Sequence, residues 1–142
     1  MRKISLLLLL TLIIIPPHSH ATEDECNLNC ENEALASEYE KSDKQLNFAY
    51  RRLFEKLNLS QRNDLRNTQR RWIAARDLVC DKEETTWCEN SGCGNSMQIA
   101  SAGNARLQCL VGSTNFRTNE LSKADEAIRA GRQPSFKFAL RN

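Results

Sequence analysis

The sequence predicts an all-α fold, three main helices in two successive antiparallel hairpins stapled by disulfides, and three observations carry that expectation. Apolar residues recur at spacings of three, four and seven through three long segments, the period of an amphipathic helix. No alternating strand pattern of useful length occurs. Six cysteines, an even count, follow what reads as an export signal.

The first element is that signal. Arg2 and Lys3 precede an apolar run from Ile4 to Ile15, broken only by Ser5 and Thr11 and closed by Pro16 and Pro17. This is the charge, core and exit pattern of a secretory signal peptide. The small residues Ser19 and Ala21 place the cut after Ala21, so residues 1–21 are expected to be removed and residues 22–142 to form the mature chain, exported to the periplasm or beyond. The run falls short of the roughly 20 apolar residues a membrane span needs, and Glu25 before the first cysteine disfavours lipid attachment there.

Removing the signal changes what the composition says. Both histidines, His18 and His20, leave with it, which excludes Ser-His and Cys-His nucleophiles and every His-ligated metal. Basic and acidic residues become equal at 18 each once Arg2 and Lys3 are gone. No whole-chain electrostatic case for nucleic acid or an anionic membrane survives that balance. The length suits one domain, taken as 22–134 with a C-terminal tail at 135–142. No paired C-x-x-C knuckles point to zinc. A carboxylate pair for glycoside cleavage is the one catalytic option left, and no two residues present themselves for it. We therefore expect no catalytic set, cofactor or metal, and a protein that is not an enzyme.

In the first helix, Leu28, Leu35, Tyr39, Leu46, Ala49, Leu53 and Leu57 form one stripe, and Glu and Lys fill the other faces. The second opens after Leu59 with Ser60 as the expected N-cap, and its inward stripe is Leu65, Thr68, Trp72, Ala75 and Val79. The run Asn90, Ser91, Gly92, Cys93, Gly94, Asn95 is the strongest turn signal of the chain. A third stripe holds Ala100, Gly103, Leu107, Val111, Thr114 and Leu121, running on toward Ile128 before Gly131 and Pro134 stop it. Ser135 to Asn142, with Phe136 and Phe138, is either a short docked strand or a loose tail.

Antiparallel hairpins bring together residues whose midpoint lies at the turn. The midpoints of Cys26 with Cys93 and of Cys30 with Cys88 fall at Leu59–Ser60, and that of Cys80 with Cys109 falls at Gly94–Asn95. The expected bridges are therefore Cys26–Cys93, Cys30–Cys88 and Cys80–Cys109, each contributing about 3 to 4 kcal/mol by restricting the unfolded chain.

Tyr39, Asp43, Leu46, Asn47 and Tyr50, then Gln69, Arg70, Trp72, Arg76 and Asp77 within Q-R-R-W-I-A-A-R-D-L-V-C at 69–80, then Cys109, Thr114, Arg117 and Leu121, form a pattern that resembles the LprI-type lysozyme-inhibitor family, exported bacterial helical domains. The likeness covers roughly Glu38 to Leu121. It departs from the pattern in its cysteines: one is usual near Ala34, whereas here Cys26 and Cys30 lie upstream and Cys88 and Cys93 look like additions. The resemblance implies non-catalytic binding to lysozyme. A periplasmic structural or interaction protein without lysozyme affinity is the alternative.

Four residues separate Trp72 from Arg76, which places them on one helix face. A buried arginine is normally paired, so Trp72 is expected to anchor the core, Arg76 to hydrogen-bond across helices, and Arg117 to do the same from the third helix. Charge is uneven along the chain: −6 over residues 22–50, +5 over 51–77 and +1 over 78–142. The favoured account is mutual neutralisation of the first two helices. The functional account has Glu31, Glu33, Glu38 and Glu40, or Asp81, Glu83, Glu84 and Glu89, facing a cationic protein such as lysozyme, whose association such a patch would accelerate.

Overall fold

The computed structural model describes residues 28–138, folded as three helices: α1 (Leu28–Glu55), α2 (Leu59–Ser91) and α3 (Ser96–Arg129). The expected signal segment and Cys26 lie outside the described residues. No described helix is long and apolar enough to cross a membrane.

The helix junctions follow from local chemistry. Asn58, not Ser60, caps α2: its side chain accepts from the Gln61 backbone N–H at 3.0 Å while Gln61 Oε1 accepts from the Asn58 N–H at 3.1 Å, a reciprocal capping box. The cap falls two residues earlier than expected because an asparagine three residues before a glutamine satisfies two orphan N–H groups at once, which Ser60 would not. The second turn ends α2 at Gly92, whose φ of 79° lies in the region glycine tolerates. Asn95 then caps α3 by accepting from Gln98 N at 2.9 Å. Gln98 in turn donates to Ser91 O and accepts from Gly94 N, both at 2.9 Å, tying the turn shut.

Successive helices run antiparallel, so α1 and α3 are parallel. Contacts between α1 and α3 pair Asn32 with Asn104 and Arg52 with Asp125, a constant offset along both chains. Backbone packing is concentrated between α3 and each of the other helices, and α1 and α2 approach each other little at the backbone level. Side-chain size accounts for this. Trp72, Arg76 and the Tyr39 ring fill the space between α1 and α2, whereas Ser42 on α1 and Ala102 and Ala124 on α3 are small and buried. A Cβ added at Gly103 would come within 3.6 Å of the Asn32 amide, which shows how close α3 lies to α1 there.

The core is built on Leu46 and Leu53 of α1, Leu57 of the turn that follows it, Leu65 and Trp72 of α2, and Leu121 and Ala124 of α3. The α1 stripe is buried where the periodicity puts it at Leu46 and Leu53, whereas on α2 the buried set is Leu65, Trp72, Arg76 and Cys80, and the expected Thr68, Ala75 and Val79 are only half-buried. On α3 Val111, Thr114 and Leu121 of the expected stripe are buried and Ala100, Gly103 and Leu107 only half-buried, while Ala102, Leu110 and Ala124 join the buried set because α3 packs on two neighbours. Phe136 joins the core and Phe138 packs against it, although residues 132–138 form no strand or helix. The tail is docked but irregular, held in part by Arg117 Nη1 donating to Phe136 O at 3.5 Å.

Two disulfides are described in full. Cys80–Cys109 joins α2 to α3 with a Cα separation of 5.4 Å, as the hairpin midpoint requires. Cys88 bonds to Cys93, 5.0 Å apart at Cα, across the Gly92 turn. That bond rules out both Cys30–Cys88 and Cys26–Cys93. The five-residue separation makes closure of the local bridge entropically cheap, and α1 turns its close face to α3 instead of to the cysteines of α2. Cys30 is itself disulfide-bonded.

Candidate functional site

The motif residues of the middle segment converge on two arginines. Arg76, 7% exposed, lies where all three helices meet. Its guanidinium carbon is 4.9 Å from the centroid of Trp72 and 5.8 Å from that of Tyr39 on α1. Its Nε donates to Asp77 Oδ1 at 2.9 Å and its Nη1 to the Thr114 hydroxyl of α3 at 3.4 Å. One planar cation thereby binds two aromatic faces, a carboxylate and a hydroxyl, a combination a lysine could not reproduce.

Arg117, fully buried, does the same a turn further along α3. It donates from Nε to Gln69 Oε1 at 3.0 Å and from Nη1 to Glu120 Oε2 at 2.9 Å, with Phe138 5.8 Å from the guanidinium. Its Nη2 is buried without a hydrogen-bond partner among the described residues. Trp72 and Leu46 are buried, Tyr39 and Tyr50 half-buried. Asp43 accepts from Asn47 Nδ2 at 2.8 Å, one turn on along α1. Asn47 and Arg70 are exposed, so the internal role does not extend to them.

The acidic residues have a different fate. Glu31, Glu33, Glu38 and Glu40 are exposed on α1, Glu31 accepting from Asn104 Nδ2 of α3 at 3.5 Å, and Asp81, Glu83 and Glu89 are exposed on α2. Glu40 is held below the usual carboxylate range by its hydrogen bond and ion pair with Lys44. Asp81 and Glu84 share Arg106 of α3, at 2.7 and 3.6 Å, and the Asp81 hydrogen bond raises the arginine's affinity for its proton further.

Placing these side chains on the bundle overturns the expectation of mutual neutralisation. The antiparallel turn of α1 into α2 sets acidic residues beside acidic ones and basic beside basic. The half made of residues 28–42, 75–91 and 96–112 holds nine Asp and Glu against four Lys and Arg. The other half, residues 43–74 and 113–138, holds six against thirteen. Ion pairs to α3 come from α1, from the turn that follows it and from α2: Arg52, at 2.9 Å, and Lys56 to Asp125, and Asp81 to Arg106. The bundle is therefore a rod with an acidic end and a basic end.

At the basic end, Arg62 and Arg66 of α2 lie over the Phe54 ring of α1, 5.0 and 4.8 Å from its centroid. Phe54 stacks on Tyr50 at 5.9 Å. Partial burial pushes the Tyr50 phenol up from its ordinary value, an effect opposed by nearby Arg66 and Arg70. Asp125, with only 6% of its side chain exposed, collects Arg52, Lys56 and Arg129. The Asp125 cluster was missed at the sequence level, where the only available trace is the four-residue spacing to Arg129. It stands beside a groove of about 720 Å³ between α1 and α3, bordered by Phe48, Lys41 and Leu121. No cluster among the described residues has the make-up of a metal site.

A family model described as lysozyme inhibitor LprI matches residues 21–121 of the chain. No curated protein and no solved structure matches.

Proposed function

Because the chain belongs to the LprI lysozyme-inhibitor family, we propose that it binds lysozyme through its acidic end and blocks the enzyme by contact, without chemistry of its own. Common animal lysozymes are strongly basic. The observation that carries the reading is the segregation of charge. Five carboxylates in excess gather at one end, with Glu33 and Glu38 on α1 and Glu83 and Glu89 on α2 exposed there. A field of that sign steers a cationic protein toward the end of the rod and raises the rate of encounter, and the contacts made afterwards set the lifetime of the complex.

The rigid triangle of helices around Arg76 and the Cys80–Cys109 bridge supports this reading, since a pre-ordered surface gives up little conformational freedom on binding. The disulfides accord with an oxidising compartment, and an inhibitor of lysozyme has its target outside the cytoplasm. Export through the expected signal at 1–21, to the periplasm or beyond, completes the proposal.

Lysis of a cell-wall suspension by a basic animal-type lysozyme, with the purified, oxidised protein titrated in, tests it directly. Stoichiometric loss of lysis, weakening between low and physiological salt, is the expected result. Undiminished lysis in the presence of protein shown to be helical by circular dichroism would overturn it and favour an envelope interaction protein.

A further inference from the structure

The basic end has a surface that the proposed lysozyme contact leaves free. Leu59, Arg62, Arg66, Arg70 and Ile73 recur at three- and four-residue spacings and so share one stripe of α2, about 21 Å long. Leu59 is 75% and Ile73 40% exposed at the two ends of the stripe. Between them stand three arginines, of which Arg66 and Arg70 are exposed. Phe54 of α1 lies under Arg62 and Arg66; Arg62 is committed to the end of α1, donating from Nε to Phe54 O at 3.0 Å and from Nη2 to Glu55 O at 3.2 Å, whereas Arg66 rests exposed on the ring.

We propose that this stripe docks the protein on an anionic phospholipid surface, with Arg66 and Arg70 on the headgroup phosphates and Leu59 and Ile73 in the interface. Two features select a lipid surface over a soluble polyanion. The stripe is flanked by exposed aliphatic side chains, for which a polyanion offers no partner and the headgroup boundary does. The excess charge of its half, thirteen basic against six acidic residues, is spread over three helices and not gathered in one pocket, which suits the diffuse potential of an anionic leaflet. Arginines resting on rings also lose less freedom when they take up phosphate in a bidentate contact.

The test is co-sedimentation of the purified, oxidised protein with vesicles of phosphatidylcholine, with and without phosphatidylglycerol. Binding should require phosphatidylglycerol and fade as salt rises. The double variant R66E/R70E should lose at least about twenty-fivefold in apparent affinity, at roughly fivefold per arginine removed. L59E should weaken vesicle binding severalfold and leave any binding to soluble inorganic polyphosphate unchanged. All these positions are exposed, and helical circular dichroism verifies that the variants fold. No binding to anionic vesicles at low salt, or equal binding by R66E/R70E, overturns the proposal. Equal binding of L59E and the parent protein to vesicles overturns the lipid assignment in favour of a polyanion. Lysozyme inhibition by R66E/R70E is read separately, so failure here leaves the inhibitor reading standing.

Discussion

Arg117 on α3 donates from Nε to Oε1 of Gln69 on α2 at 3.0 Å, and this bond joins two motif residues that lie far apart in the chain. The arginine is fully buried, which makes its partners a condition of folding. Arg117→Ala should therefore lower the unfolding free energy by about 3 kcal/mol, seen as a shift in the urea midpoint. Arg117→Met, which fills the space without a charge, should lose less. If the alanine variant were as stable as the parent, the buried network would be incidental.

Arg76 makes a parallel case with a functional control. Arg76→Ala removes a cation held by two rings, a carboxylate and a hydroxyl, and should cost about 2 to 3 kcal/mol. The fraction that remains folded should inhibit lysozyme with unchanged affinity. A specific loss of inhibition at full stability would move Arg76 from the scaffold to the contact surface.

The bridges differ in the loops they close. Removing Cys80–Cys109, with a separation of 29 residues, should cost about 3 to 4 kcal/mol; removing Cys88–Cys93, separated by 5, should cost about 2. Paired Cys→Ala variants followed by thermal unfolding check the order. Mass mapping of a non-reduced digest should recover both pairs, and a Cys30–Cys88 peptide would contradict the fold near the Gly92 turn.

Steering by the acidic end predicts an asymmetric response to charge reversal. Glu33→Lys with Glu38→Lys should slow association with a basic lysozyme by about threefold to tenfold at low salt, with little effect on dissociation. Arg71→Glu, at the opposite end, should leave association unchanged or quicken it. Stopped-flow or surface-based kinetics at two salt concentrations separate these outcomes. Equal effects from both ends would show that charge total, not its placement, governs the encounter.

Much of the candidate site was legible before the fold was known. Trp72 and Arg76 share a face by their spacing alone, and both are inside. The roles of Asp125 and Arg106 were not legible, because each finds its partner on another helix at a separation no local pattern encodes. The charge segments were visible too, yet the inference drawn from them failed. Opposite totals over residues 22–50 and 51–77 suggest neutralisation only if the two segments lie side by side in the same sense. They are antiparallel, and the sign change along each helix then places like with like.

By itself, the sequence determined what depends on near neighbours: three long helices from their periodicity, the Gly92 turn, and Cys80–Cys109, whose midpoint sits on that turn. Only the tertiary structure decided which helix packs most closely on which, that Cys88 takes Cys93, and that the rod has ends of opposite charge. The physical reason is that periodicity records which face of a helix is apolar, whereas helix separation depends on side-chain volume. Trp72, Arg76 and Tyr39 hold α1 away from α2, and Ser42, Ala102 and Ala124 let α3 close in.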